Sequence, residues 1–222
     1  LFGPGVTLPV LLACTLQHLR LVGTACSASL TVALLLGIWG TRPSAPGLPA
    51  VRLAIRGTYL AQAVPSLAVI GLAMALLGIG EPTAIFALFL YTLVPMLRNT
   101  VEGLRGVDPA ILDAARGMGM SPAQVLFRVE LPLALPVIFA GLRTALVIAV
   151  GTAALGSQVG GGGLGGLIFT GLAMMDPPLM LAGAIPTALL AVGADRLMGL
   201  LETRLRGGRT VPDHPRRRRR WI

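Results

Sequence analysis

The sequence predicts an all-α polytopic membrane protein with five transmembrane helices, its N-terminus outside and its C-terminus in the cytoplasm. Three observations predict it. Hydrophobic residues make up 55% of the 222 and charged residues only 12%, against about 25% charged in an ordinary soluble domain. Several apolar runs approach or exceed the roughly 20 residues that cross a bilayer. The arginines gather in alternate loops, as the positive-inside rule requires.

The elements follow in order. Residues 1–20 are apolar but broken by Pro4, Gly5 and Pro9, and Val6 to Leu16 is too short to span. They are expected to form an interfacial or poorly ordered lead-in. No short apolar run ends in a small-residue cleavage site, so no removable signal peptide is expected. The spans are expected at 21–39, 57–79, 83–97, 133–155 and 179–200, within one transmembrane domain covering 21–205. In the first span Gly23, Ala25, Ser27, Ala28, Ser29 and Ala33 permit close helix packing. A polar loop, 98–132, separates the third and fourth spans. Residues 156–178 are glycine-rich, with a short helix expected within 164–175. The tail, 206–222, carries Arg216 to Arg220 in succession.

Orientation rests on arginine. Arg42, Arg52 and Arg56 lie in the first loop, Arg98, Arg105, Arg116 and Arg128 in the 98–132 loop, and most of the rest in the tail. The Gly80 turn and the 156–178 loop have none. Five spans put all the arginine-rich segments on the cytoplasmic side.

The net charge of +9 comes entirely from arginine, because the chain has no lysine. A P-loop lysine and a Schiff-base lysine are therefore excluded. Membrane topology accounts for the basic surplus, and no nucleic-acid partner is expected. Arg216–Arg220 reads as a polybasic patch for anionic membrane lipid. Cys14 and Cys26 read as small packing residues, and His18 and His214 carry no assigned role. Arg143 falls inside the fourth span, where it either snorkels or faces a wet bundle interior.

Asp108 to Pro132 is over-specified for a connector. Asp108-Pro109 and Ser121-Pro122 each pair an N-cap with proline at the first helical position. Gln124 completes a capping box with Ser121. Gly117 or Gly119 ends the first helix, and the second is expected to end near Pro132. Ile111, Ala115 and Met118 share one helical face, and Val125 and Val129 form an i, i+4 pair. Four acidic residues, Glu102, Asp108, Asp113 and Glu130, balance the loop's four arginines. A helix lying on anionic lipid should be net basic, so docking of a cytoplasmic partner is favoured over surface lying. Catalysis by these carboxylates is disfavoured, since no base or pocket accompanies them.

Asp113-Ala114-Ala115, then Gly119, then Val129, Leu131 and Pro132 resembles the EAA loop of binding-protein-dependent ABC importer permeases. The spacing matches throughout, with Asp113 where glutamate is usual, which keeps the charge and shortens the reach. Further stretches resemble the glycine betaine/carnitine/choline branch, among them Gln62 to Ala68, Tyr91 to Thr100, Glu130 to Ile138 and Leu181 to Pro186. The resemblance covers roughly residues 17–205.

The resemblance implies a permease subunit in the cell membrane, with no enzymatic activity and no cofactor of its own. ATP would be bound by cytoplasmic ATPase subunits docking on Asp113, Ala114, Ala115, Gly119, Val129, Leu131 and Pro132. An extracellular or periplasmic solute-binding protein would deliver the solute. A second permease subunit, identical or not, would complete the pathway. Osmoprotectant quaternary amines are the implied solutes; another small solute such as an amino acid, or a non-transporting scaffold, are the alternatives. Gln62, Ser66, Tyr91, Asn99 and Thr144 are polar candidates for lining a pathway, though each could equally bond between helices. Gly161, Gly163 and Gly166 nominally fit GxGxxG, but no strand precedes them, so a nucleotide site is rejected.

Overall fold

Small residues repeated every fourth position set how closely these helices approach. Helix α1, Leu8–Thr41, buries Leu21, Ala25, Ser29, Ala33 and Gly37 along one face. Gly37 meets Thr100 so closely that an added Cβ would lie 2.5 Å from Thr100 Cγ2. Ser29 accompanies this contact with hydrogen bonds, its Oγ lying 2.6 Å from Thr92 Oγ1 and donating to the Phe89 carbonyl at 2.9 Å. Close backbones and interhelical hydroxyl bonds are how membrane helices associate when lipid is as apolar as the side chains.

The computed structural model describes residues 7–42, 49, 53, 56, 57 and 64–206. After α1 come α2 (Ser66–Leu77), α3 (Glu81–Arg105), α4 (Pro109–Gly117) and α5 (Pro122–Val125). A π-helical turn, Leu126–Glu130, leads directly into α6 (Leu131–Gly156). A 3-10 turn at Ser157–Val159 precedes α7 (Leu164–Ala173) and α8 (Pro177–Arg206). Helix α3 packs between α1 and α6, and α8 lies against α6 and α7. The core gathers Leu21, Leu88, Met96 and Leu97 with the alanine face of α6, Ala145, Ala149 and Ala153.

The span count differs from the sequence expectation. Among the described residues four helices, not five, are long and apolar enough to cross a membrane: Leu8–Thr41, Glu81–Arg105, Pro122–Val159 and Pro177–Arg204. The expected 57–79 span is where the count fails. Its described helix is only Ser66–Leu77, about 18 Å at 1.5 Å per residue, against a hydrocarbon core of about 30 Å. Pro65 stands at its N-cap in extended conformation and Gly78, at φ 78°, ends it. The turn expected from Gly78 is present, whereas Pro65 starts the helix instead of lying within the span.

The boundaries of the other spans also move. Helix α1 begins at Leu8, so residues 8–20 continue the first span. Helix α3 starts at Glu81 and carries Pro95 inside it. Pro132 does not stop the second loop helix. The π turn sends the Leu131 amide to the Leu126 carbonyl, and Pro132, which has no N–H to donate, follows directly in the first turn of α6, where the widened turn accommodates it.

Candidate functional site: the 108–132 element and its anchor

The loop element is built from caps. Asp108 accepts a hydrogen bond from the Ala110 amide at 2.9 Å, with Pro109 opening α4. Ser121 and Gln124 form both bonds of the capping box, at 2.8 and 3.3 Å. Between the two helices Gly119 sits at φ 80°, where only glycine is unstrained. That geometry returns the Gly119 amide to the Arg116 carbonyl and the Met120 amide to the Ala115 carbonyl, the double bond of a Schellman turn. The helix, glycine turn and helix read from the sequence are all present.

The motif residues divide into two groups. Asp113, Ala114 and Gly119 are exposed, while Ala115 is buried. Asp113 is held by Arg116, 3.0 Å away and one turn on. Both side chains are well exposed, so this pair contributes little to stability. Val129, Leu131 and Pro132 are half-buried in the passage from the π turn to α6. Large apolar side chains of the same element are exposed as well: Ile111 is 45% exposed, Phe127 65% and Met118 75%. Only Ala115 of the expected apolar face turns inward, with Val125 from α5.

The second group is anchored by a residue the motif reading passed over. Glu130, buried, accepts from both guanidinium nitrogens of Arg42, Nη1 reaching Oε1 at 3.0 Å and Nη2 reaching Oε2. Arg42 is the C-cap of α1. Leu104, Ala134 and Ile138 form a small apolar cluster on this side of the bundle, with Leu34, Ile38, Leu126 and Leu131 packed on it. The sequence signal was slight, two opposite charges at the ends of separate apolar runs.

The described polar candidates for a pathway fall on three helices, α2, α3 and α6. Gln62 lies outside the described residues. Ser66 opens α2, half-buried. Tyr91 donates its hydroxyl to the Val64 carbonyl and lines a cavity of about 360 Å³ with Val69, Leu72, Phe86 and Leu90. Asn99 donates to the Pro95 carbonyl at 2.8 Å and packs where α6 presents Gly141. Thr144 is exposed and bonds back to the Ala140 carbonyl at 3.0 Å.

Two further polar clusters were missed. Arg143 is paired with Asp195 of α8 and lies 3.6 Å from Glu202. Gln17 of α1 seats the glycine-rich loop, its amide donating to the Gly161 carbonyl at 3.2 Å and accepting from the Gly163 amide at 3.0 Å. Next to it the fully buried His18 places Nε2 3.0 Å from the Val150 carbonyl. Among the described residues no group of three His, Cys, Asp or Glu side chains is placed to hold a metal.

The fold is found in solved ABC transporters. The inward-facing MetNI methionine ABC transporter aligns with a TM-score of 0.75 at 21% identity, over 90% of this chain and 99% of that one. An amino acid ABC transporter with histidines aligns at 0.72 and 18% identity, over 88% and 94%. In sequence, the choline transport system permease protein OpuBD of Bacillus subtilis (strain 168) is 52% identical over 149 residues, 67% of this chain and 66% of that protein. The glycine betaine/carnitine/choline transport system permease protein OpuCD of the same organism is 52% identical over 149 residues, 67% of this chain and 65% of that one. These matches span just under two thirds of the relatives' length. The choline permease OpuBB, also of Bacillus subtilis, matches at 40% over 191 residues, 86% of each. The family described as "Binding-protein-dependent transport system inner membrane component" matches residues 30–207. This multi-pass membrane chain belongs to that family of binding-protein-dependent transport system inner membrane components.

Proposed function

We propose that the chain is the permease subunit of an ATP-driven importer for quaternary-amine osmoprotectants such as glycine betaine, carnitine and choline. The observation that supports the transport mechanism is the capped, exposed element 109–130. Ile111, Met118 and Phe127 give an ATPase subunit an apolar surface, with Asp113, Ala114 and Gly119 beside it. Its caps make it stiff, so force applied at Gly119 is not absorbed locally. The π turn then carries the displacement into α6 through Val129, Leu131 and Pro132. A second permease subunit faces this one across the pathway, and a solute-binding protein delivers the solute at the far end. Gln62, Ser66, Tyr91, Asn99 and Thr144 remain candidates for lining the pathway in that assembly. The polybasic tail, Arg216–Arg220, meets anionic lipid.

The printed names of the relatives support the solute class. The likeness to the methionine and amino acid importers is below 25% identity and speaks for the fold alone. The test is uptake by proteoliposomes holding the full importer, with glycine betaine, carnitine, choline and methionine in competition. ATP-dependent uptake competed by the three quaternary amines supports the reading. Uptake competed by methionine alone contradicts the solute class.

A further inference from the structure

We propose that the Arg42–Glu130 ion pair is a positioning latch of the transport cycle, tying the exit of the 109–130 element to the end of α1. This rests on the reading of that element as the ATPase-docking surface. Glu130 is the last residue of the π turn. Its side chain is 6% exposed, whereas that of Arg42 is 32% exposed. The two parallel bonds fix orientation as well as distance. Below them the Leu104, Ala134 and Ile138 cluster brings together α1, α3, the π turn and α6.

A charged pair is a poor choice if the task is only to hold this junction. Well-packed apolar residues of similar volume serve stability as well or better. What the ion pair adds is a choice between two discrete arrangements. When the pair parts, Arg42 already has access to solvent. Glu130 does not, and must carry the π turn outward to become solvated. Opening the latch and displacing the π turn are therefore one event.

The location gives that event consequences. A π turn beside Pro132 is the weak point in an otherwise continuous 38-residue span. Without the ion pair, a push on α4 and α5 would bend the chain there and reach α6 weakened. With Glu130 held by Arg42, the same push reaches α1 as well as α6. Helix α1 then leads back to Gln17, which holds the Gly161–Gly163 loop at the other end of the bundle. From Gln17 to Thr41 it covers about 36 Å at helical rise.

The test uses the full importer in proteoliposomes, measuring solute taken up per ATP hydrolysed for Glu130→Gln, Arg42→Gln and the double variant. Glu130→Gln keeps the shape and removes the buried charge, so it folds even if Arg42→Gln, which orphans a buried carboxylate, does not. In Glu130→Gln the ATPase is expected to co-purify in full yield while uptake per ATP falls about fivefold or more, the low end of ordinary coupling between sites. The double variant is expected to lose no more than Glu130→Gln alone, since both act on one interaction. A wild-type ratio in Glu130→Gln, an additive loss in the double variant, or a lower yield of folded protein as the sole effect overturns the proposal. Failure of the docking reading itself shows separately, as ATPase co-purification that survives Met118→Asp and Phe127→Asp.

Discussion

Arg143 of α6 and Asp195 of α8 meet as a bidentate ion pair, with Nε 2.6 Å from Oδ1 and Nη2 2.8 Å from Oδ2. The two residues are 52 apart in sequence and both lie in candidate spans. A lone arginine in a span is costly; here it becomes the fastener of the last helix. Only 17% of the apolar stretch of α8 is buried, against 61% of that of α3, so polar fastening counts for more in α8.

Removing one partner should therefore hurt more than removing both. Arg143→Ala leaves Asp195 without its guanidinium, and Asp195→Ala leaves Arg143 with only Glu202, 3.6 Å away. Each single variant is expected to lower the thermal unfolding midpoint of the detergent-extracted protein. The combination Arg143→Met with Asp195→Leu should recover part of the loss, since the bidentate pair's charges leave together and apolar volume stays, while Glu202 still loses its contact with Arg143. Equal losses in the single and double variants would show that the pair does not fasten α8.

Gln17 and Gly162 make a second, independent prediction. Gly162 is at φ 70°, and a Cβ there would overlap the Gln17 amide. Gly162→Ala thus suffers twice, with about 1–2 kcal/mol from the left-handed backbone alone and displacement of Gln17 besides. Hydrogen exchange at the Gly163 amide should accelerate in both Gln17→Ala and Gly162→Ala. Adding Gln17→Ala to Gly162→Ala should relieve the overlap but not the backbone strain. Unchanged exchange in Gln17→Ala would mean that the loop does not depend on α1.

Gly119 separates backbone from space. Nothing lies within 4 Å of where its Cβ would be, so size alone carries no penalty. Its φ of 80° does. Gly119→Val, β-branched, should break the turn and abolish ATP-dependent uptake, while Gly119→Asn should keep most of it, because asparagine visits the left-handed region. Equal activity of both variants would remove the turn from the mechanism.

The parts legible in the sequence were local. Asp108-Pro109, Ser121-Pro122 with Gln124, and Gly119 all act within five residues, and each took the role its chemistry dictates. The motif spacing pointed to the family for the same reason. The missed features were either breaks inside apolar runs or long-range pairs. Pro65, with the turn at Gly78, confines α2 to 12 residues, yet hydropathy averages across it. Arg42 and Glu130 are 88 residues apart, and Gln17 and Gly163 are 146 apart. Neither pairing has a local signature, because each depends on which helices become neighbours. The π turn was hidden by Pro132, which reads as a stop unless the preceding turn widens to accept it.

Residues 109–130 are the proposed meeting point of ATP hydrolysis and transport. Site-directed cross-linking tests it directly, after Cys14 and Cys26 have been replaced by alanine. Met118→Cys and Phe127→Cys should each cross-link to the ATPase subunit in the assembled importer. Leu181→Cys, 50% exposed but on α8, should not. Cross-links from Leu181→Cys alone, or from none of the three in an importer that still hydrolyses ATP and transports, would contradict it.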